Sequence, residues 1–289
     1  MATTKDGGSV FRPGLFDGRT ILVTGGGTGI GRAIARELAS LGAHVVLAAR
    51  DTARLNAAVS TIEADGGRAS HVPVDIRDED SVAALWEAVL EAHPRVDALV
   101  NNAGGQFPSP AEKISKKGWH AVIETNLTGS FLMAREAYNR YMAQHSGVIV
   151  NIVAEMWRGF PGMAHTGAAR AGVVNLTKTL AVEWAHAGVR VNAVAPGTIE
   201  GDGLTRYDPA FIGPMLEQIR ADAPFKRLGT EPEVAAAVTF LLSPAAAYIS
   251  GETLRVDGAS SLWRKSWEIR DHPRAPTPFL PWGDPDDED

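Results

Sequence analysis

Thr24-Gly25-Gly26-Gly27-Thr28-Gly29-Ile30-Gly31 follows the apolar run Thr20-Ile21-Leu22-Val23-Thr24 directly, and a helical pattern begins within it. Gly25, Gly29 and Gly31 stand in a G-x-x-x-G-x-G spacing. A strand, a glycine loop and a helix in that order can hold a pyrophosphate. Glycine permits the tight turn and the close backbone approach, and the helix N-terminus offers free N–H groups and the positive end of its dipole. The second apolar run ends Ala48-Ala49-Arg50. A carboxylate near this strand end would bind both adenosine ribose hydroxyls of NAD. Arg50 instead offers a planar fork suited to a 2′-phosphate, so NADP(H) is the expected cofactor, with Arg32 as a second cation. Asp51 lies one residue further into the loop. Asp75 and Ile76, after the third run, are placed to meet the adenine. The turn Asn101-Asn102-Ala103-Gly104 is expected to line the adenosine side.

These residues need a scaffold that brings distant loops to one edge. Apolar, β-branched runs begin at Thr20, His44, Ala69, Val96, Gly147, Val189 and Glu252, with amphipathic stretches between them. Ile30, Ile34, Leu38 and Leu41 form one such stripe at helical spacing. Strands alternating with helices predict right-handed βαβ units. The expected fold class is therefore α/β: a doubly wound Rossmann-type domain, its seven-stranded parallel sheet covered by helices on both faces. The expected organisation is an N-terminal tail over 1–14, one NADP(H)-binding domain over 15–262, and a C-terminal extension over 263–289. Within the domain, the Gly- and Pro-rich stretch at about 198–228 breaks the alternation and reads as a lid. The extension ends in the acidic run DPDDED.

Composition narrows the function. Hydrophobic residues make up 45% and charged residues 21%, as in ordinary globular chains. A net charge of −6 argues against a nucleic-acid partner. The absence of cysteine removes disulfides, thiolate nucleophiles and cysteine-based zinc sites, and no metal centre is expected. No signal-like or membrane-spanning apolar run is present, and a cytoplasmic protein is expected.

TGGGTGIG, NNAG, Asn126 within ETNLTGSF and the APG at Ala195–Gly197 resemble the short-chain dehydrogenase/reductase family over nearly the whole chain. Longer segments, including NNAGGQFPSPAEKISKKGWHAVIETNLTGSF, HTGAARAG and VDGASSLW, are most similar to its peroxisomal trans-2-enoyl-CoA reductase branch. That resemblance implies NADPH-dependent reduction of the α,β double bond of an acyl thioester, with acyl-CoA as substrate. It also implies a homo-tetramer or homo-dimer packed through the fourth and fifth helices. The family at large uses a serine and a Tyr-x-x-x-Lys pair. Here Thr166 falls on the tyrosine position and Arg170 on the lysine position, and Asn151-Ile152-Val153-Ala154 offers no serine.

The resemblance and the chemistry of the surviving side chains give each an expected role. Arg170 can donate to ribose hydroxyls but cannot relay a proton at neutral pH. Thr166 can stabilise an oxyanion without protonating it. Asn126 is expected to hold a water or a main-chain group. His165 is suited by its titration range to deliver a proton. Against this, neighbouring helical side chains diverge by about 100°, and a histidine there can simply pack or cap. Thr198, with Pro196, Gly197 and Ile199, is expected at the nicotinamide amide. Glu155 and Arg158 read equally well as solvated loop charges. Trp119 and Trp184 read as core or interface residues. Arg206, Lys226 and Arg227, beside the lid, suit CoA phosphates or plain solvent. Three readings stand beside the enoyl reductase: a 2,4-dienoyl-CoA reductase, a ketone/alcohol oxidoreductase of the same family, and a catalytically silent NADP(H)-binding protein.

Overall fold

The computed structural model describes residues 8–204, 209–263, 267–271 and 276–282. The elements of its first half are β1 (Thr20–Thr24), α1 (Gly29–Ser40), β2 (His44–Ala49), α2 (Thr52–Ala64), β3 (Arg68–Pro73), α3 (Glu79–Ala92) and β4 (Ala98–Asn101). A nearly continuous helical stretch follows, comprising α4 (Lys116–Ile123), α5 (Gly129–Ala137) and α6 (Ala143–His145), joined by π-helical turns at Glu124–Thr128 and Tyr138–Met142. The second half contains β5 (Gly147–Ile152), α7 (Ala164–Glu183), β6 (Val189–Pro196), β7 (Ile199–Glu200), α8 (Pro209–Asp222), β8 (Gly229–Thr230), α9 (Glu231–Leu242) and β9 (Thr253–Val256).

Seven strands form one parallel sheet in the order β3-β2-β1-β4-β5-β6-β9. A seven-stranded, doubly wound Rossmann-type sheet is what the alternation predicts. Side chains alternate between its faces, as the two-residue period of a strand requires. Ile21 and Val23 of β1, with Val45 and Leu47 of β2, pack in one cluster beneath α1, α2 and α9. Leu22 and Val46 face the opposite way, into a cluster that includes Trp86 of α3, Met133 of α5 and Leu180 of α7. Both faces are dry, so the strands read as nearly unbroken apolar runs.

Chain order reverses between β1 and β4. In such sheets ligands occupy the crevice beyond the carboxyl ends of the strands at that point. Buried amides hold the neighbouring elements in register. Asn101 Nδ2 donates to Asn151 Oδ1 (3.0 Å) and to the Ser130 carbonyl (3.2 Å), tying β4 to β5 and α5. Asn151 Nδ2 donates to Thr177 Oγ1 (2.9 Å), which ties β5 to α7. No helix among the described residues is long and apolar enough to cross a membrane.

Past β9, the chain turns back over the domain. The Pro276 carbonyl accepts from Arg227 Nε (3.0 Å), the Phe279 carbonyl accepts from Thr230 Oγ1 (3.3 Å), and Trp282 lies against the Arg36 guanidinium at 4.4 Å.

Candidate active site

The glycine loop and the β4 turn interlock at the switch point through one hydroxyl. Thr24 Oγ1 donates to the Val100 carbonyl (3.3 Å) and accepts from the N–H groups of Asn102 and Ala103, both at 3.0 Å. Asn102 Nδ2 closes the junction on the carbonyls of Thr24 (3.0 Å) and Gly25 (3.2 Å). A Cβ at Gly31 would collide with the Gly25 carbonyl oxygen and with Asn102 Nδ2. Gly25 itself turns at φ +65°, the left-handed region. Thr28 is the N-cap of α1, in extended backbone geometry, and Ile30 lies in the first turn. The cradle therefore has the shape a dinucleotide needs: close-packed glycine backbone opening onto a helix N-terminus.

That N-terminus already carries an anion from elsewhere in the chain. Asp202, just after β7, accepts from the Gly29 N–H (3.1 Å) and pairs with Arg32 (3.0 Å). Glu231, at the start of α9, accepts from the Asp202 N–H (3.2 Å). Burial, and then the Asp202 charge, push the Glu231 carboxyl up from its usual range.

At the adenosine end, Arg50 is exposed beyond β2, and Asp51 is used as the N-cap of α2, accepting from the Arg54 N–H (3.1 Å). Asp75 lies two residues beyond β3 and is gripped by Arg77 through Nε (2.9 Å) and Nη2 (2.5 Å). That contact holds its carboxyl down at about 2. Arg77, two residues on in sequence, was not singled out among the expected cofactor contacts. Ile76 is buried against Gly129 of α5.

The residues expected to do chemistry converge below the β4 and β5 ends. Asn126 is fully buried in the first π-helical turn. Its Nδ2 donates to the carbonyls of Gly105 (2.7 Å) and Val122 (2.8 Å), and its Oδ1 accepts from the Gly105 N–H (3.3 Å). It thus clamps a main-chain segment, and the π turn is the local widening that aims it there. Arg170 is buried, with Nη1 donating to the Ile152 carbonyl (2.7 Å) and Nε lacking a partner. Burial alone lowers its guanidinium to about 10, and no carboxylate pairs with it among the described residues. A Cβ at Gly104 would strike Arg170 Nη2 and lie 2.8 Å from Asn126 Oδ1. Glycine is what allows the β4 turn to sit on this pair.

His165 and Thr166 are both fully buried at the start of α7. The divergence of neighbouring helical side chains does not separate them. Nδ1 of His165 accepts from the Thr166 N–H (2.8 Å) and lies 3.3 Å from Thr166 Oγ1. The imidazole lies back on the first turn, and Phe107 packs edge-on against it, with centroids 4.5 Å apart. Burial lowers its pKa, so the ring is neutral at pH 7 and is no longer poised for proton delivery. Its Nε2 has no partner.

Pro196 ends β6 and Gly197 packs against Asp257, with its N–H donating to the Val256 carbonyl (2.9 Å). The Thr198 carbonyl accepts from the Gly229 N–H (3.0 Å), and Ile199 begins the short β7–β8 ladder. Of the two readings open for Glu155, its partial burial favours the site over a solvated charge: it is half-buried and lines, with Thr198, an open cavity of about 650 Å³ bounded by α8 and the turn after β9. Arg158 lines that cavity as well. Arg227 is committed to a two-point pair with Glu233 (2.9 and 2.6 Å) rather than left open for a phosphate. Lys226 meets Asp271 at 3.3 Å. Trp119 is partly exposed on α4, whereas Trp184 is buried and stacked on Tyr138. Arg206 lies outside the described residues.

A family model described as enoyl-(acyl carrier protein) reductase matches residues 25–260. The chain belongs to the short-chain dehydrogenase/reductase family. It is an oxidoreductase. Among curated relatives of this family, a protein of Bacillus subtilis named "Probable 2,4-dienoyl-CoA reductase [(2E)-enoyl-CoA-producing]" is 38% identical over 251 residues, covering 84% of this chain and 97% of that one. A 3-oxoacyl-[acyl-carrier-protein] reductase of Synechocystis is 42% identical over 241 residues, covering 82% and 94%. The solved structure of a citronellol catabolism dehydrogenase (AtuB) of Pseudomonas aeruginosa PAO1 is 53% identical. It superposes with a TM-score of 0.79 and covers 88% of this chain and 99% of that chain.

Proposed function

We propose that this reductase uses NADPH to reduce the α,β double bond of a trans-2-enoyl thioester, with coenzyme A as the carrier. The observation that carries this reading is the pair at the start of α7. Where the wider family has a tyrosine acid and its lysine, this chain buries Thr166 and Arg170, neither of which can serve as an acid at pH 7.

The cofactor supplies a hydride to the β-carbon, and the chain must do the rest. Gly25, Gly29 and Gly31, with the N–H groups around Thr28 and Ile30, receive the pyrophosphate in place of the Asp202 carboxylate. Asp75 and Ile76 line the adenine, and Asn102, Ala103 and Gly104 line the adenosine and nicotinamide riboses. Arg170 holds the nicotinamide ribose hydroxyls, while Pro196, Gly197, Thr198 and Ile199 hold the amide. Thr166 donates to the thioester oxygen as charge develops on it, and Asn126 fixes the Gly105 backbone beside it. His165 holds Thr166 in place as a neutral ring and accepts its N–H. The stretch at about 198–228 serves as the lid, with Asp202 on the Gly29 N–H until the pyrophosphate displaces it. Exposed Phe131 and Val182, on α5 and α7, suit a homo-tetramer or homo-dimer.

Cofactor choice rests on Arg50. Arg50→Ala should weaken NADPH by about tenfold or more and leave NADH nearly unchanged, because only NADPH carries the 2′-phosphate. Fluorescence titration with both cofactors measures this, and equal losses would contradict the assignment. Two other substrate classes have specific support. The name of the Bacillus relative favours a 2,4-dienoyl thioester, and that of the 53%-identical structure favours a terpenoid skeleton. NADPH oxidation with crotonyl- to decenoyl-CoA, 2,4-decadienoyl-CoA and citronellal ranks the three, and no turnover of any would indicate a silent binding protein.

A further inference from the structure

The enoyl reduction requires a proton at the α-carbon, and the machinery above contains no acid. Thr166 has only a hydroxyl, Arg170 holds its proton to about 10, and His165 is neutral. We infer that Glu155 is the proton donor, a role that rests on the enoyl-reductase reading.

Three observations place it there. The first is position. The Glu155 N–H donates to the Pro196 carbonyl (3.2 Å), which extends the β5–β6 register past the strand ends and sets Glu155 level with Pro196-Gly197-Thr198, the segment read as the nicotinamide contact. The second is access. Glu155 lines an open cavity of about 650 Å³, large enough for an acyl thioester arm, and Thr198 is where that lining meets the segment read as the nicotinamide contact. The third is availability. The carboxyl makes no ion pair or hydrogen bond with another described residue, so no described residue competes for its proton.

Its surroundings shift it toward the protonated form. Asp257 lines the same cavity, and its carboxylate accepts from the N–H groups of Ala259 (2.9 Å) and Ser261 (3.2 Å). Burial first, and then this neighbouring negative charge, push the Glu155 carboxyl above its ordinary range. Arg158 and Arg255 act against this. Arg255, however, stacks on Trp157 at 4.1 Å and also points a donor at Ser261. Among the described residues, the other charges facing the cavity are Asp222 at the end of α8 and the Arg227–Glu233 pair, which neutralises itself.

The step balances. The hydride forms the C–H bond at the β-carbon, and the electron pair of the double bond moves onto the α-carbon and thioester oxygen. The Glu155 O–H bond then breaks as the α-carbon gains its proton. The carbon–carbon double bond is thereby reduced with the thioester left intact, and the Glu155 carboxylate recovers a proton from water through the cavity.

Glu155→Gln in the full chain should lower kcat by about a hundredfold or more, while KM for crotonyl-CoA and the NADPH dissociation constant stay within a few-fold. The wild-type kcat–pH profile should fall on its alkaline side as Glu155 loses its proton. That limb should vanish in Glu155→Gln and return, at lower kcat, in Glu155→Asp. Independently of turnover, the Glu155 carboxyl carbon, followed by 13C NMR in the cofactor-free protein, should titrate above the ordinary glutamate range. Unchanged kcat with the alkaline limb retained, or a carboxyl titrating at or below that range, would overturn the role. A wild-type protein that reduces no enoyl thioester would instead fail the reading on which it rests, and would remove this role with it.

Discussion

Thr166→Val is expected to slow double-bond reduction roughly ten- to a thousandfold while leaving the NADPH dissociation constant unchanged. The exchange keeps the shape of the side chain and deletes one hydroxyl in a fully buried position. Hydride addition to an enoyl thioester spreads charge onto the thioester oxygen. A donor already aimed at that oxygen stabilises the transition state more than the ground state, so its loss falls on kcat. Thr166 is held for this purpose by its neighbour, since His165 Nδ1 takes the Thr166 N–H and lies 3.3 Å from Oγ1. A hydroxyl donor is lost while His165 Nδ1 still accepts the Thr166 N–H, so the fold should survive. Stopped-flow turnover and cofactor titration on the same preparation check both halves. A kcat within twofold of wild type would mean that the oxyanion is stabilised elsewhere.

Arg170→Met should raise the melting temperature and at the same time weaken cofactor binding. Arg170 carries a buried positive charge with one carbonyl partner, an unpaired Nε and no carboxylate. Burial depresses its pKa from the usual value to about 10, so folding holds the cation under penalty at every pH below that value. The sign is that of a depressed base: the penalty is fully present at pH 7 and is relieved only as pH rises through the folded pKa. An unbranched apolar side chain of similar length should recover about 1–3 kcal/mol of stability. The penalty persists because the fork is aimed at something absent from the chain itself, in this account the ribose hydroxyls. Loss of that contact should weaken NADPH by about tenfold or more and lower kcat with it. Calorimetry and cofactor titration measure the two effects. A less stable variant with normal cofactor affinity would make Arg170 a structural residue.

The sequence carried most of this site but not its surroundings, for reasons tied to particular residues. The glycine spacing, Asn102 and the β1–β4 switch point were legible because each is read within one βαβ unit. Asn126 was legible as a main-chain holder because a buried asparagine has few other uses. Arg170 was legible by its position, yet its unpaired state depends on what every other element withholds from it. The pairing of His165 with Thr166 was hidden because helical periodicity separates them, and the ring's edge-on partner, Phe107, comes from the loop after β4. Asp202 lies 173 residues from the Gly29 N–H it occupies, a contact no local pattern contains. Glu155 looked like any loop carboxylate. Its burial and its charged neighbour come from the far end of the chain, at Asp257.

The most direct measurement compares the initial rates of NADPH oxidation with a trans-2-enoyl-CoA and a 3-ketoacyl-CoA of equal chain length. A ketone gains its charge as an alkoxide, a strong base that needs a positioned acid almost at once, and the family's tyrosine is missing here. The enoyl thioester should therefore turn over much the faster of the two. Faster reduction of the ketoacyl thioester would contradict the account, because it would require an acid at the ketone oxygen, where Thr166 and Arg170 supply none and Glu155 is assigned to the α-carbon instead.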